Sequence, residues 1–275
     1  MQKTIFITGT SSGLGKATAK LFHANDWYII AAMRNPENEM ELTKLKNCTL
    51  VKLDIANPIE IKTAIETVLK KHTINVVVNN AGYGLVGPLE SLSDQQITKQ
   101  LNTNLLGTIR VSKEFMPHFQ QKKNGLFINI TSMFGLIGYP TCSVYAATKF
   151  GIDGFSESLA YEVSHLGIKV KTIAPGGIKT DFAGRSLDSS SHVAYKNLID
   201  KVSEGYSEDK ISQFSTPENI ANVIYEAVTD NKNQIRYVAG SDAIHLYNER
   251  LKLNPEGQFQ TLITEFNSFN NDTNE

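Results

Sequence analysis

Charge of either sign is not in surplus in this chain. Its 275 residues carry 27 lysines and arginines against 28 aspartates and glutamates, a formal net charge of −1. Without a basic excess there are few counterions to release from a phosphate backbone, which excludes nucleic acid as a partner. Cysteine is scarce too. Cys48 and Cys142 cannot build a disulfide framework, and no Cys-x-x-Cys occurs. The six histidines show no ligand spacing such as His-x3-His, so no metal is expected. The apolar run after Met1-Gln2-Lys3 is too short for a signal core or a membrane span, which points away from the membrane and toward the cytoplasm.

What remains is the composition of an ordinary soluble domain, 41% hydrophobic and 20% charged. The length suits one large α/β domain over residues 1–275 that needs no covalent staple. Short apolar runs read as strands at Thr4–Thr8, Tyr28–Ala32, Thr49–Leu53, Asn75–Val78, Leu126–Ile130, Lys169–Ile173 and Arg236–Ala239. Several lack polar alternation, as strands buried on both faces do. Helix-length segments lie between them at Gly15–Ala24, Ile59–Lys71, Gln95–Gln121, Val144–His165 and Pro217–Thr229. Such alternation predicts a doubly wound parallel sheet of about seven strands, a Rossmann-type fold with helices on both faces. Two stretches break the rhythm. Residues 181–215 are too long for a plain connection and read as a substrate loop or lid, and residues 242–275 form a helical tail.

Thr8-Gly9-Thr10-Ser11-Ser12-Gly13-Leu14-Gly15 follows the first strand and opens the first helix. Glycines there permit a tight turn and let backbone N–H groups reach a pyrophosphate at the helix N-terminus. Strand two ends Ala32-Met33-Arg34, with no carboxylate before Glu37 to hold a bare ribose. A guanidinium at that point pairs with a 2′-phosphate, which favours NADP(H), with NAD(H) as the second candidate.

Farther on, Tyr145 and Lys149 stand four apart on a helix and share one face. An ammonium beside the phenol, with the positive charge of an oxidised nicotinamide, is expected to lower its pKa toward the range where protons exchange. Tyr161 has no such lysine. Ser132 closes strand five and points into the crevice at the carboxyl end of the sheet, where it can hold a substrate oxygen.

Together these motifs resemble the short-chain dehydrogenase/reductase family over about residues 3–240. They are Thr8–Gly15, Asp54-Ile55, Asn79-Asn80-Ala81-Gly82, Asn104, Ser132, Tyr145-x3-Lys149 and Pro175-Gly176 with Thr180, in that order. The resemblance implies that Gly9, Gly13, Leu14 and Gly15 cradle the pyrophosphate, with Ser11 and Ser12 near the adenosine ribose. It places Asp54 and Ile55 at the adenine, and Asn80, Ala81 and Gly82 along the wall beside it. Asn104 would kink its helix and hold a water linked to Lys149, which also binds the nicotinamide ribose. Pro175, Gly176, Ile178 and Thr180 would contact the nicotinamide. The implied activity is hydride transfer between NADP(H) and a carbonyl or secondary alcohol, with Tyr145 as acid/base. The alternative is a non-catalytic NADP(H)-binding sensor or scaffold of the same fold. Tyr83, Phe134, Tyr139, Cys142, Phe182 and residues 184–215 are the candidate pocket for an apolar small-molecule substrate. Homodimers or homotetramers through the two long helices are the assemblies implied. Tyr237–Asp242 and the tail beyond it resemble relatives known broadly as oxidoreductases.

Overall fold

The computed structural model describes residues 2–179 and 187–267. Seven strands form one parallel sheet: β1 (Thr4–Thr8), β2 (Tyr28–Met33), β3 (Cys48–Lys52), β4 (Val76–Asn79), β6 (Gly125–Ile130), β7 (Ile168–Pro175) and β9 (Arg236–Ala239). Their spatial order is β3-β2-β1-β4-β6-β7-β9. The winding therefore reverses between β1 and β4, and the crevice outside those two carboxyl ends is where an open α/β sheet receives a ligand. A separate parallel pair joins β5 (Gly84–Val86) to β8 (Leu187–Ser189).

Alternating side chains of each strand supply two cores, because successive residues face opposite sides of a sheet. Ile5, Ile7, Ile29 and Ala31 pack with Phe22 of helix α1 (Gly13–Ala24) and with Ile220 and Ile224 of the helix Pro217–Thr229. On the other face, Phe6, Ile30, Val77 and Phe127 meet Ile61 and Ile65 of α2 (Pro58–Leu69). Phe115 and Phe119 of a longer helix complete that layer. This is the doubly wound architecture the sequence predicts.

The expected helix over Gln95–Gln121 is three pieces: α3 (Asp94–Gln100), a π-helical turn at Leu101–Leu106, and α4 (Gly107–Lys122). The extra residue per turn places Asn104 inward, where it is buried. Helix α5 (Ser143–Val163) carries Tyr145 and Lys149. The part of the expected lid that is described, from Leu187 on, holds helices at Lys196–Glu204 and Glu208–Ser212 besides β8. The helical tail Ser241–Asn267 is broken at Asn254 (φ 57°, ψ 173°), whose Oδ1 accepts from the amides of Glu256 and Gly257 and so starts a second helix at Pro255. Among the described residues no helix is long and apolar enough to cross a membrane.

Candidate active site

The glycine loop is bound to both sides of the switch point. The amides of Gly9 and Thr10 donate to the Ala32 carbonyl at the end of β2, at 2.8 and 3.3 Å. Asn80 reaches over from β4 and donates to the Thr8 and Gly9 carbonyls at 2.9 and 3.2 Å. The amides of Asn80 and Ala81 in turn donate to the Thr8 hydroxyl, each at 3.0 Å. Asn80 thus holds the loop itself. Gly9 adopts φ +72°, and a Cβ on Gly15 would lie 2.2 Å from the Gly9 carbonyl oxygen, so both positions require glycine. Ser12 occupies the N-cap of α1 without a side-chain cap bond, which leaves first-turn amides turned toward the crevice. An uncapped helix end behind a glycine cradle fits a pyrophosphate.

Leu14, placed in the cradle by sequence, buries its side chain in the core, so only its backbone is available there. Ser11 and Ser12 are exposed, and Arg34 stands exposed one residue past β2. Nearby Lys16 is taken up by Glu39 and Glu41, at 3.0 and 2.9 Å. Asp54 accepts from the Ala56 amide at 2.9 Å, while Ile55 is buried against Gly107.

Ser132, Tyr145 and Lys149 come together at the carboxyl end of β6. Ser132 follows the strand by two residues, and its Oγ accepts from the Phe134 amide at 3.2 Å, capping the short turn Met133–Gly135. Lys149 is 6% exposed; its Nζ donates to the Ile130 carbonyl at 3.0 Å and lies 5.7 Å from the centre of the Tyr145 ring. Burial depresses Lys149 to about 8. Burial pushes the Tyr145 phenol up to about 12, against a hydrogen bond from Ser132 that pulls it down and Cys142 that raises it further. The sequence expectation of a lowered phenol is reversed within the polypeptide. The lysine is itself desolvated and committed to a carbonyl, so its charge does not offset the loss of water around the phenol. Tyr161, by contrast, is 73% exposed, and its hydroxyl donates to Glu157.

Asn104 uses its side chain on the backbone beyond β4. Its Nδ2 donates to the Tyr83 carbonyl at 2.9 Å and to Thr148 at 3.4 Å, and its Oδ1 accepts from the Tyr83 amide at 3.1 Å. A Cβ on Gly82 would meet that same oxygen at 3.0 Å. Pro175 and Gly176 close β7 beside the β6 end, since Ser132 and Pro175 both lie two residues past the paired Ile130 and Ile173. Ile178 bridges to Ser215. Thr180, Phe182 and the start of the expected lid lie outside the described residues.

Phe134, Cys142 and Tyr139 pack with Tyr145. Phe134 stacks on Tyr139 at 4.7 Å, and Phe266 of the tail meets Tyr139 edge-on at 5.4 Å. Tyr83 turns elsewhere, under Lys99. Sequence reasoning missed Phe266, which nothing local distinguishes from any apolar helix residue. It also missed a buried polar chain beneath the site. Asn79 donates to Asn129 at 2.8 Å and to Ser112 at 3.0 Å, and Asn129 donates to Ser156 at 2.8 Å, so β4, β6, α4 and α5 are tied together. An asparagine inside two otherwise apolar strands was the available signal.

Residues 3–190 match the short chain dehydrogenase family. The chain belongs to that family. An uncharacterised oxidoreductase of Schizosaccharomyces pombe is 36% identical over 209 residues, 76% of this chain and 88% of that one. A short-chain dehydrogenase from Streptomyces avermitilis superimposes with a TM-score of 0.82 at 26% identity, covering 99% of this chain and 98% of that one. ElxO with NADP bound gives a TM-score of 0.74 at 30% identity over 89% of this chain and 100% of its own. This short-chain dehydrogenase is accordingly an oxidoreductase with a Rossmann-like sheet.

Proposed function

We propose that this short-chain dehydrogenase is an NADP(H)-dependent reductase of apolar ketones or aldehydes, working reversibly on the corresponding alcohols. The observation that carries the reading is the convergence of Ser132, Tyr145 and Lys149 at the end of β6, with β4 alone between that strand and the β1 end that carries the uncapped α1 cradle. A module that only senses or binds the cofactor has no use for that acid/base set. The NADP-bound ElxO structure supports the choice of cofactor. When bound, the cofactor supplies the hydride. Ser132 and the Tyr145 hydroxyl hold the carbonyl oxygen, and Tyr145 gives its proton as negative charge builds there. A phenol held near 12 stays protonated through the neutral range, which suits a donor in the reductive direction. Lys149 orients the nicotinamide ribose and passes protons inward. Gly9, Gly13 and Gly15 hold the pyrophosphate, Asp54 and Ile55 the adenine, and Pro175, Gly176 and Ile178 the nicotinamide. The Phe134–Tyr139–Phe266 stack forms an apolar wall for the body of the substrate. NADPH consumption against a panel of ketones, aldehydes and quinones tests this reading; no consumption with any class would contradict it.

Arg34 selects the phosphorylated cofactor in this account. A charge-assisted contact with the 2′-phosphate is worth about 1.5–3 kcal/mol, or roughly one to two decades of preference. Arg34→Ala is expected to raise the Michaelis constant for NADPH about tenfold or more and leave that for NADH nearly unchanged. Steady-state constants for both cofactors decide it. Equal changes for the two, or a wild type that prefers NADH, would overturn the role of Arg34.

A further inference from the structure

The turn Ala239-Gly240-Ser241-Asp242 joins β9 to the tail helix, and the Asp242 carboxylate points back at the end of β7. Its Oδ2 accepts from the Gly177 amide at 2.6 Å. A Cβ on Gly176 would lie 2.1 Å from Oδ1 and 2.4 Å from Oδ2, and a Cβ on Gly240 would lie 2.8 Å from Oδ1. The carboxylate therefore fills the gap between two glycines at the carboxyl ends of neighbouring strands, Pro175 being paired with Ala239. Gly240 turns there with φ +101°. The Gly176 amide is bound in parallel to the Ala239 carbonyl at 2.9 Å. On the far side, Ser215 donates to the Gly177 carbonyl at 3.2 Å and the Phe214 ring covers Gly177. Asp242 sits in the first turn of its helix, where the dipole favours a negative charge.

We propose that Asp242 is a positioning residue that fixes the Pro175-Gly176-Gly177 loop against the nicotinamide half of the cofactor. The inference rests on the cofactor reading above. Gly176 lacks a side chain because Asp242 occupies its place, and the loop cannot shift toward the tail while that carboxylate is there. Bonds to an ionised acceptor are about twice as strong as neutral ones, so the contact holds the loop more firmly than a backbone pair would. Losing it loosens one end of the site and leaves the adenosine end untouched.

Binding of two ligands separates these ends. NADPH spans the whole site, whereas adenosine 2′,5′-bisphosphate occupies only the end near Arg34. Titration of the full chain with each is expected to give Asp242→Ala about a tenfold higher Kd for NADPH and a Kd for the bisphosphate within about twofold of wild type. Asp242→Asn keeps an acceptor oxygen without the charge and is expected to fall between, with NADPH weakened about threefold. If Asp242→Ala does not fold, Asp242→Asn decides on the same comparison. NADPH affinity equal to wild type in the variant, or both ligands weakened in proportion, would overturn the positioning role. A wild type that binds neither ligand would instead overturn the cofactor reading beneath it.

Discussion

Turnover of Tyr145→Phe is expected to fall by at least ~10²-fold, with NADPH bound as tightly as in wild type. The substitution keeps the ring, and with it the packing against Phe134, Cys142 and Ala146. Only the proton carrier is lost. Ser132 still has the Phe134 amide as a partner, so the turn that positions it survives. The loss should fall on kcat, because the hydroxyl matters most when charge develops on the substrate oxygen and much less while the ground-state carbonyl is bound. Steady-state kinetics together with a melting curve check this. A folded Tyr145→Phe protein with near-normal turnover would remove Tyr145 from the chemistry.

Lys149→Met is expected to be nearly inactive and yet, at neutral pH, more stable than wild type. Burial of Lys149 holds its pKa at about 8 instead of 10.5, which corresponds to about 3 kcal/mol against the charged form in the folded state. That cost is present in full below pH 8, where both folded and unfolded chains carry the proton. It is relieved as pH rises from about 8 to 10.5. Against it stands the bond to the Ile130 carbonyl, whose loss leaves a buried acceptor unpaired at about 1–3 kcal/mol. Methionine fills much the same space without charge. Denaturation at pH 7 should therefore favour Lys149→Met by about 1 kcal/mol, and near pH 10.5 it should favour wild type. A variant less stable than wild type by the same amount at both pH values would show that the charge of Lys149 is not strained by burial.

The strands were legible because a parallel sheet covered on both faces demands unbroken apolar runs. Thr4–Thr8 and Arg236–Ala239 have the predicted bounds, and the other five differ by a residue or two at one or both ends. Tyr145 and Lys149 were legible because helical spacing alone puts them on one face. What local pattern could not reveal depends on distant partners. The resemblance implies a kink at Asn104, but no periodicity marks it as a π-turn whose asparagine is bonded to both backbone groups of Tyr83. The pairing of Gly84–Val86 with Leu187–Ser189 joins segments a hundred residues apart, each too short to read as a strand. The direction of the Tyr145 shift in the polypeptide alone was hidden for a similar reason: spacing places a lysine beside the phenol but does not reveal that the lysine is buried and the phenol half-buried. Phe266 and Asp242 belong to a tail whose path over the site only the fold discloses.

Hydride transfer itself is tested most directly with NADPH carrying deuterium at nicotinamide C4 on the transferring face. Each apolar ketone or aldehyde that the wild-type protein reduces should gain one deuterium at the former carbonyl carbon, read by mass spectrometry. The same product should fall at least ~10²-fold with Tyr145→Phe. Cofactor bound with no deuterium delivered to any carbonyl carbon, for deuterium on either face of the ring, would contradict the account and leave a protein that binds NADP(H) without reducing anything.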